Sequence, residues 1–403
     1  MATTAGVGFS ENSNSRLAGA EAARTALREA GAEAGDLVIV FATSKHDPVL
    51  LRDGVRSVVG PGARLFGGSA VGIITRDRLG YEGYQAGVAV LASDTMKVDM
   101  FLEKGLPDHE YEVGVALGRR IKEQRYTGEP NLLLMYDIVK RTMSEGLSLN
   151  MATPLIGGIS RALGAWPPAA GGGMTGDMQW NPTFQWFDDA IEQQSAMALV
   201  LSGGVRLDTV ILHGCKPSGT YHTITKADGN VVLEIDGRPT VDVIAELLGP
   251  EADKSWEDYP LFITLGLNNG DKFGAVREDD YAVRLCMDVD RQRGGLVMFG
   301  DDLKAGCEVQ LMRRSIDFAY IERRVEGLLA RLGDRKPFLA VYIDCAGRAA
   351  AYCGTEREEA EEVQKAIGAR MPLLGWYVGC EIAKAGDVMQ SHNWTGVLCV
   401  LSE

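Results

Sequence analysis

The sequence predicts an α/β protein of layered α+β type, with packed mixed sheets flanked by helices and arranged in two domains. A strand–helix–glycine-turn–strand unit recurs three times along the chain. A segment with a different, alternating strand pattern lies between the second and third copies, and repeated units of this kind favour layered sheets covered by helices. The chain has 403 residues, which is too long for one ordinary core.

The first copy begins with a buried strand at residues 36–42, which are apolar nearly throughout and rich in β-branched side chains. A helix follows, with Asp47 as its N-cap and Pro48 at its first position. A glycine-containing stretch at residues 64–74 comes next, and a strand at residues 86–93 closes the unit.

The second and third copies keep the same order. Their predicted strands and glycine turns occupy residues 132–136, 171–177 and 196–202 in the second copy, and 338–343, 372–382 and 395–401 in the third. In the third copy Thr355 and Glu358 have the spacing of a capping box at the start of a helix.

The middle of the chain predicts an antiparallel sheet with one short helix. A hairpin is expected at residues 223–235 around an Asp-Gly turn, followed by a helix at residues 239–248. Further strands are expected at residues 262–265, 281–287 and 295–299. An amphipathic helix is predicted at residues 315–332, with inward side chains at Ile316, Ala319, Ile321 and Leu328.

Charge and composition exclude several classes of partner. The formal net charge is −14, and such a surface repels nucleic acid and anionic membranes. The N-terminus lacks a signal-peptide pattern, and the apolar runs have the length of strands, not of membrane spans. Seven cysteines, an odd number, do not form a disulfide framework. We therefore expect a cytoplasmic protein that binds neither nucleic acid nor membrane.

The glycine turn of the first copy is a candidate ligand site. Gly67, Gly68 and Ser69 allow close approach of the backbone and can present N–H groups to an anion. The alternative is that these glycines only permit tight corners between strands.

Two cysteines lie where open α/β sheets place ligands. Cys215 is expected at a strand-to-loop junction and Cys345 at a strand end, close to Arg348. The arginine would lower the pKa of the thiol and bind an anionic ligand. Both cysteines are otherwise interpreted as small buried apolar residues.

Carboxylates and an isolated arginine complete the candidate ligand site. Glu381 and Asp177 occupy comparable turns, where they would bind a ligand amine or cap the turn. Arg277 would pair with a ligand carboxylate or with a surface acid.

A metal centre is a further hypothesis. Cys345, Cys353, Cys380 and His392 all lie in the third copy, and three thiolates with one imidazole suit zinc or an iron–sulfur cluster. None of them has the Cys-x-x-Cys spacing. Haem is a third option, although the sequence does not select an axial ligand for it.

The ordered set of motifs resembles the FIST family, from about residue 35 to the end. The matching stretches are residues 66–72, 214–219, 224–225 and 233–239 in the first half, and 344–348, 372–377, 381–382 and 392–395 in the second. The resemblance implies a helical lead-in at residues 1–34, a FIST N-like sensing domain at 35–230 and a FIST C-like domain at 231–403.

The resemblance also implies a function. FIST proteins are described as intracellular signal-transduction sensors, usually proposed for small molecules such as amino acids. Some relatives sense nitric oxide through haem or an iron–sulfur centre and regulate a kinase. Gly379 and Cys380 depart from the family pattern, which has an aromatic residue and then glycine before Glu381. The added thiol puts a plain amino-acid sensor in doubt.

Three hypotheses follow. The first is a sensor with a ligand cleft between its two domains, which regulates a separate protein such as a histidine kinase; an oligomer is compatible with it. The second is a gas or redox sensor with haem, zinc or an iron–sulfur centre. The third is an enzyme in which Cys215 or Cys345 attacks a small carbonyl compound and His392 or His213 acts as base.

Overall fold

The computed structural model of the chain describes residues 3–249, 263–315 and 317–403. It has the α/β architecture that the sequence predicts, with several mixed sheets and helices on their faces. Three repeats share one topology, and an antiparallel sheet is inserted in the third. No helix in the described ranges combines the length and the hydropathy that crossing a membrane requires.

The elements of the first two repeats run in chain order. The first repeat comprises β1 (Thr4–Ser10), α1 (Ser15–Ala30), β2 (Leu37–Ala42), α2 (Pro48–Val59), β3 (Arg64–Ser69), β4 (Gly72–Thr75), β5 (Leu79–Tyr81) and β6 (Ala86–Ala92). The second comprises β7 (Lys97–Lys104), α3 (Glu110–Glu123), β8 (Asn131–Asp137), β9 (Val139–Arg141), β10 (Ser148–Leu149), α4 (Ala152–Leu163), β11 (Ala169–Met174), β12 (Gln185–Phe187), β13 (Ala190–Glu192) and β14 (Ser195–Ser202).

The third repeat is split by the insertion. It starts with β15 (Arg206–Leu212). The insertion follows as β16 (Cys215–Asp228), β17 (Val231–Ile235), β18 (Arg238–Pro239), α5 (Thr240–Leu248), β19 (Thr264–Asn268), β20 (Tyr281–Asp290), β21 (Gly295–Met298) and β22 (Glu308–Arg314). The repeat then resumes with α6 (Tyr320–Ala330), β23 (Pro337–Cys345), α7 (Ala350–Cys353), α8 (Glu359–Ile367), β24 (Leu373–Val378), β25 (Cys380–Ala385), β26 (Val388–His392) and β27 (Gly396–Ser402).

Each repeat builds the same four-stranded sheet. The strand orders are β1-β6-β2-β3, β7-β14-β8-β11 and β15-β27-β23-β24. In all three sheets the first and second strands are antiparallel, the second and third strands are antiparallel, and the third and fourth strands are parallel. A helix connects the two parallel strands in each case, as a parallel crossover requires. The internal repeat predicted from the sequence is therefore a structural repeat.

The repeats exchange hairpins in a cycle. The hairpin β4–β5 of the first repeat pairs with β24 of the third. The hairpin β12–β13 of the second repeat pairs with β3 of the first, and β25–β26 of the third pairs with β11 of the second. Each six-stranded sheet therefore contains strands from two repeats.

The three sheets enclose one shared core. Their inner faces contribute Phe41, Met135 and Ile343, and the Phe41 and Trp376 rings stack with centroids 3.8 Å apart. The outer face of each sheet is covered by a helix pair: α1 with α2, α3 with α4, and α6 with α8. The parallel strands are buried on both faces, which explains why they are apolar along their whole length.

Glycines set the distance between the helices in the first two pairs. A Cβ atom on Gly19 would lie 2.3 Å from the Leu51 carbonyl oxygen, and one on Gly54 would lie 2.0 Å from that of Arg16. Gly114 and Gly158 have the same relation to the opposing helix in the second repeat, at 2.2 Å and 2.1 Å. These pairs pack backbone to backbone.

The inserted sheet has the order β16-β22-β19-β20-β21-β17-β18 and its own apolar core. All its neighbouring strands are antiparallel, as expected from the alternating pattern. The proposed division between residues 230 and 231 falls in the turn between β16 and β17, which pair with each other. The expected lead-in at residues 1–34 supplies β1 to the first sheet as well as a helix.

The predicted capping box of Thr355 and Glu358 is wrong. Helix α8 starts at Glu359 with Glu358 as its N-cap, and no side chain caps it. The Thr355 hydroxyl donates to the Arg357 carbonyl instead. The Glu358 carboxylate accepts hydrogen bonds from the Tyr81 hydroxyl at 2.5 Å and the Ala350 amide at 3.1 Å, so it faces away from its own helix.

The helix predicted at residues 315–332 is shorter. It starts at Tyr320, because side chains of the preceding turn bind its backbone: the Ser315 hydroxyl accepts from the Asp317 amide and Asp317 accepts from the Ala319 amide. Ile321 and Leu328 are buried as predicted, but Ala319 is exposed. Ile316, and Phe262 at the start of the strand predicted at 262–265, lie outside the described residues.

Candidate ligand-binding cavity

A cavity of about 510 Å³ lies where loops of all three repeats meet. Residues 43–45 follow β2, residues 82–83 follow β5, and residues 176–181 follow β11. The third repeat contributes Tyr352 of α7 to the wall of the cavity. The other lining residue is Val71. Most of the wall thus consists of loops that follow the parallel strands β2, β3 and β11, at the strand ends where α/β sheets bind ligands.

Gly176 allows the loops of the first two repeats to approach each other. Its carbonyl oxygen accepts a hydrogen bond of 3.0 Å from the Ser44 amide. A Cβ atom at position 176 would lie 2.7 Å from the Ser44 Cβ and 3.2 Å from the Ser69 Cβ. A larger residue would therefore push the two walls of the cavity apart.

Asp177 organises the wall formed by the second repeat. Its carboxylate accepts from the Ser44 hydroxyl at 2.7 Å and the Asn181 side-chain amide at 2.9 Å, and also from the backbone amides of Gln179 and Asn181. Burial raises its pKa, but these hydrogen bonds outweigh burial and hold the pKa below the usual value. The carboxylate is thus bound by its own loop and by Ser44 of the first repeat, which matches the alternative interpretation of Asp177 as a turn cap.

Lys45 and Glu82 bring opposite charges to the cavity. The Lys45 ammonium donates to the Glu82 carbonyl oxygen, and the Tyr352 hydroxyl donates to Glu82 Oε1 at 2.9 Å. Burial raises the pKa of Tyr352, and its bond to Glu82 raises it further. Glu82 has φ of 66°, a backbone conformation unusual for a residue with a side chain. The cavity therefore presents one cation and one anion fixed by neighbouring groups.

The glycines of the first repeat lie in β3, beside this cavity. A Cβ at Gly67 would lie 1.7 Å from the Val40 carbonyl oxygen, and one at Gly68 would lie 2.3 Å from the Met174 sulfur. The Ser69 amide donates to the Phe184 carbonyl at 2.9 Å. This placement matches the alternative interpretation, in which the glycines only permit tight packing between strands.

Arg348 lies in a buried network of charged groups. Its Nη2 is 2.8 Å from Glu359 Oε1, and its Nη1 donates to the Trp394 carbonyl at 3.0 Å. Its Nε lies 2.9 Å from Asp344 Oδ1, although the N–H does not point along a hydrogen bond. Arg314 approaches Glu359 at 2.5 Å, so one carboxylate serves two guanidinium groups.

The pKa values of this network reflect burial. Burial raises the pKa of Asp344 to about 7, against the opposing effect of Arg348. Burial also raises the pKa of Glu359, but Arg348 and Arg314 more than offset it and the pKa is lowered overall. The charge of Arg348 is thus balanced inside the protein by Glu359 and Asp344, although its Nε and Nη2 atoms make no hydrogen bond to the described residues. The sequence indicates Arg348 but not its partners.

Cys215 and Cys345 are both buried. Burial raises the pKa of the Cys215 thiol to about 12, and burial with the nearby Glu381 raises that of Cys345 well above its usual value. The Cys215 amide, not its thiol, contacts the His213 ring, which accepts through Nδ1 at 2.9 Å. Neither thiol is arranged as an activated nucleophile.

Glu381 and His392 also lie inside the protein. The Glu381 Oε2 accepts from the Thr395 amide at 3.2 Å, and burial together with Asp344 raises the pKa of Glu381 well above its usual value. Burial, with Arg284, lowers the pKa of His392 to about 3, and its Nε2 lies 3.2 Å from the Ala383 carbonyl oxygen. Cys215, Arg348 and Glu381 do not line the cavity described above.

Three of the four predicted metal ligands contact neighbouring backbone carbonyl groups. The Cys353 and Cys380 thiols donate to the carbonyls of Arg348 and Glu381, at 3.3 Å and 3.5 Å. Within the described part of the chain, no three His, Cys, Asp or Glu side chains gather in a group suited to a metal ion.

Arg277 lies apart from these groups. Its side chain is 70% exposed and 3.8 Å from Asp280. It borders a hollow of about 70 Å³ in the inserted sheet, together with Lys272 and Tyr221. Of the predicted ligand-binding residues, the structure therefore brings only Asp177 into the lining of the cavity. Gly67, Gly68 and Ser69 lie in β3. The others are the buried residues Cys215, Cys345, Arg348 and Glu381, and Arg277 beside the inserted sheet.

Sequence reasoning missed Lys45, Glu82 and Tyr352. One signal was present: Ser44 and Lys45 directly follow the first predicted strand, at the strand end where α/β proteins bind ligands. Glu82 and Tyr352 gave no comparable signal, because only the hairpin exchange between the first and third repeats brings them together.

Comparisons with known proteins identify relatives along the whole chain. An uncharacterized protein of Mycobacterium tuberculosis (strain ATCC 25618 / H37Rv) is 25% identical over 406 residues, which is 98% of each chain. One from Mycobacterium bovis is 24% identical over 410 residues, again 98% of each. One from Methanocaldococcus jannaschii is 25% identical over 260 residues, which is 59% of this chain and 49% of the relative.

A solved structure, the cyanuric acid hydrolase from A. caulinodans, aligns with half of this chain and 71% of its own, at 12% identity. Its TM-score of 0.28 is too low to carry an argument.

The family comparison covers most of the chain. The FIST N domain model matches residues 36–238, and the FIST C domain model matches residues 240–384. Both domains occur in the order that the sequence motifs indicated, and FIST domains are signal-transduction sensor domains. This chain therefore belongs to the FIST family.

Proposed function

We propose that this protein is a cytoplasmic sensor that binds a small zwitterionic ligand, such as a free amino acid, and signals to a separate partner protein. One observation carries the proposal: a single cavity of about 510 Å³ presents the Lys45 ammonium and the Glu82 carboxylate together. Its wall includes Tyr352 from the FIST C segment as well as loops of the FIST N segment.

The size and lining of the cavity support a small polar ligand. Sites for small molecules usually measure about 300–1,000 Å³ and use a few polar groups to orient the ligand. Here Gln179 offers a side-chain amide in addition to the charged pair, and the side-chain oxygens of Ser44 and Asn181, whose donors bind Asp177, are acceptors. An amino acid fits this volume with room for a side chain.

The charged pair matches the two ends of an amino acid. The Lys45 ammonium has three N–H donors, of which one is bonded to the Glu82 carbonyl, so it has donors for a ligand carboxylate. The Glu82 carboxylate accepts from Tyr352 through Oε1, and its second oxygen is suited to a ligand ammonium group. Charge-assisted hydrogen bonds of this kind are the stronger ones.

Tyr352 offers a route for the signal. It lies four residues after Arg348, in the short helix α7 that follows β23. Arg348 is bound to Glu359, which in turn binds Arg314 at the end of β22 in the inserted sheet. A ligand that moves Tyr352 would therefore act on a segment tied to the inserted sheet, from which a partner protein could read the change.

The experiment compares Lys45→Ala with Lys97→Ala, an exposed lysine on β7. The twenty amino acids are screened by thermal shift, since a ligand that binds the native state raises the melting temperature. Loss of one charge-assisted contact costs about 1.5–3 kcal/mol, so we expect the Kd of a stabilising amino acid to rise roughly 10- to 100-fold in Lys45→Ala. Lys97→Ala should bind like the wild type.

Two results would count against the proposal. In the first, no amino acid stabilises the wild-type protein. In the second, an amino acid binds but Lys45→Ala and Lys97→Ala retain equal affinity, which would place its site elsewhere.

A further inference from the structure

A second hollow adjoins the proposed amino-acid cavity. It measures about 820 Å³ and lies between the β9–β10 region and the loop after β11. Met178, Gln179 and Asn181 line both spaces. The segment 178–181 is therefore a common wall, and the two hollows lie side by side. We call this second hollow the apolar groove, after Met143, Leu147, Met178 and Trp180.

The apolar groove contains three large hydrophobic side chains that are exposed to solvent. The exposed fractions of Met143, Leu147 and Met178 are 62%, 39% and 36%. Contiguous apolar side chains at the surface of a soluble domain indicate a binding surface. Methionine is unbranched and polarisable, and it adapts to apolar ligands of irregular shape.

The floor of the groove is held in place. Trp180 has φ of 57°, a left-handed conformation that a tryptophan adopts only where its surroundings impose it. Its ring packs against Phe299, with centroids 6.2 Å apart. Asp177 binds the amides of Gln179 and Asn181, which fixes the segment before and after Trp180. The groove is thus a formed surface next to the polar cavity.

We propose that the ligand is an amino acid with a long apolar chain, its zwitterionic head between Lys45 and Glu82 and its chain in the apolar groove. This inference rests on the proposed function and names the ligand class for the same site. Its basis is the shared wall, which places an apolar surface directly beside a cavity with one cation and one anion. A polar or charged chain would leave Met143 and Leu147 exposed and would gain nothing from them.

Glu145, the acidic residue of the groove, does not change this assignment. Its carboxylate accepts from the Thr142 amide at 3.0 Å and the Thr142 hydroxyl at 2.9 Å. These bonds cap the turn within the rim of the groove, so the carboxylate is engaged locally. The groove surface that favours an aliphatic chain is formed by Met143, Leu147, Met178 and Trp180.

The test uses straight-chain 2-amino acids that share one head and differ only in length, from 2-aminobutanoic to 2-aminodecanoic acid. Their Kd values are measured by isothermal titration calorimetry on the full chain. We expect affinity to rise by up to about fourfold for each added methylene, until the chain fills the groove. The head contributes equally to all members of the series.

Groove variants locate the chain. Met143→Glu and Leu147→Glu place charges in the groove and should abolish most of the gain with chain length. Leu17→Glu alters a side chain that is 49% exposed on α1 and lines neither hollow, so it should leave the whole series unchanged. Melting curves without ligand check that all three variants fold.

Three results would overturn the inference. If affinity does not depend on chain length while short amino acids still bind, the groove does not hold the ligand, and the proposed function stands alone. If the gain with length persists in Met143→Glu and Leu147→Glu, the chain lies elsewhere. If no member of the series binds, the proposed amino-acid site fails together with this inference.

Discussion

Residue type and burial determine what each charged side chain of this protein can do. Arg348 is an obvious ligand anchor in the sequence, yet it is 1% exposed and bound to Glu359, Asp344 and a carbonyl. Moving such charges out of water costs several kcal/mol per ion, which only well-placed partners offset. The arginine is therefore a structural element of the third repeat.

Removal of Arg348 should destabilise the protein strongly. In Arg348→Met the buried Glu359 and Asp344 lose their partner, and breaking a buried ion pair costs about 3–5 kcal/mol. The free energy of unfolding in urea measures the loss. Arg78→Ala is the matched control, because its pair with Glu11 is about half exposed and should contribute at most about 1 kcal/mol. Equal effects of the two substitutions would contradict a structural role for Arg348.

The cysteines show where residue type misleads. The sequence places Cys215 at a strand-to-loop junction and Cys345 at a strand end; in the structure Cys215 is the first residue of β16 and Cys345 the last residue of β23. Position along the chain does not reveal that both side chains are buried, which keeps their pKa values high. The same holds for Glu381, which was predicted in a turn but lies completely buried in strand β25.

At the scale of elements, close helix packing distinguishes the first two repeats. Helices α1 and α2 meet through Gly19 and Gly54, and α3 and α4 meet through Gly114 and Gly158. Glycine destabilises a helix interior, but at these positions it permits the close contact between the two backbones that stabilises the helix pair. The glycines are thus required by the space between the helices.

Gly54→Ala should destabilise the first repeat. The added methyl group would lie 2.0 Å from a carbonyl oxygen of α1, and overpacking typically costs about 1–3 kcal/mol. Gly327→Ala on α6 is the control, because a Cβ at that position has open space around it. There alanine should stabilise by about 0.5–1 kcal/mol. Chemical denaturation measures both, and a stabilising Gly54→Ala would refute the close crossing.

Local signals in the sequence predicted many elements correctly. Asp47 and Pro48 start α2 as expected, because an N-cap carboxylate and a first-turn proline act on neighbouring residues only. Thr355 did not cap α8, since Glu358 is held by Tyr81, a residue from another repeat. Elements were predictable where their boundaries depend on local chemistry, and not where a distant residue intervenes.

At the scale of the whole molecule, the hairpin exchange links the three repeats into one unit. The sequence revealed the repeat, because each copy has the same order of strands and glycine turns. The exchange itself left no such pattern, since β4 and β24 pair across nearly the whole chain. The candidate site depends on that exchange, and for this reason Lys45 and Tyr352 were not predicted to meet.

The exchange of hairpins between repeats predicts that the three repeats unfold cooperatively. Every six-stranded sheet contains a hairpin from another repeat, so opening one sheet removes strands from its neighbour. Hydrogen exchange in increasing denaturant should show the amides of β2, β8 and β23 losing protection together, with one free energy of opening. If one of these strands exchanges at clearly lower denaturant than the other two, the repeats are independent.

The exchange also sets the order of events during synthesis. The hairpin β4–β5 leaves the ribosome early, but its partner β24 starts at Leu373, roughly 300 residues later. At about 5–20 residues per second the nascent chain carries this hairpin without its sheet for on the order of 15–60 s. The first repeat therefore completes its fold only after β24 has been synthesised, and until then its unpaired strand edge depends on the protection that the cell gives to nascent chains.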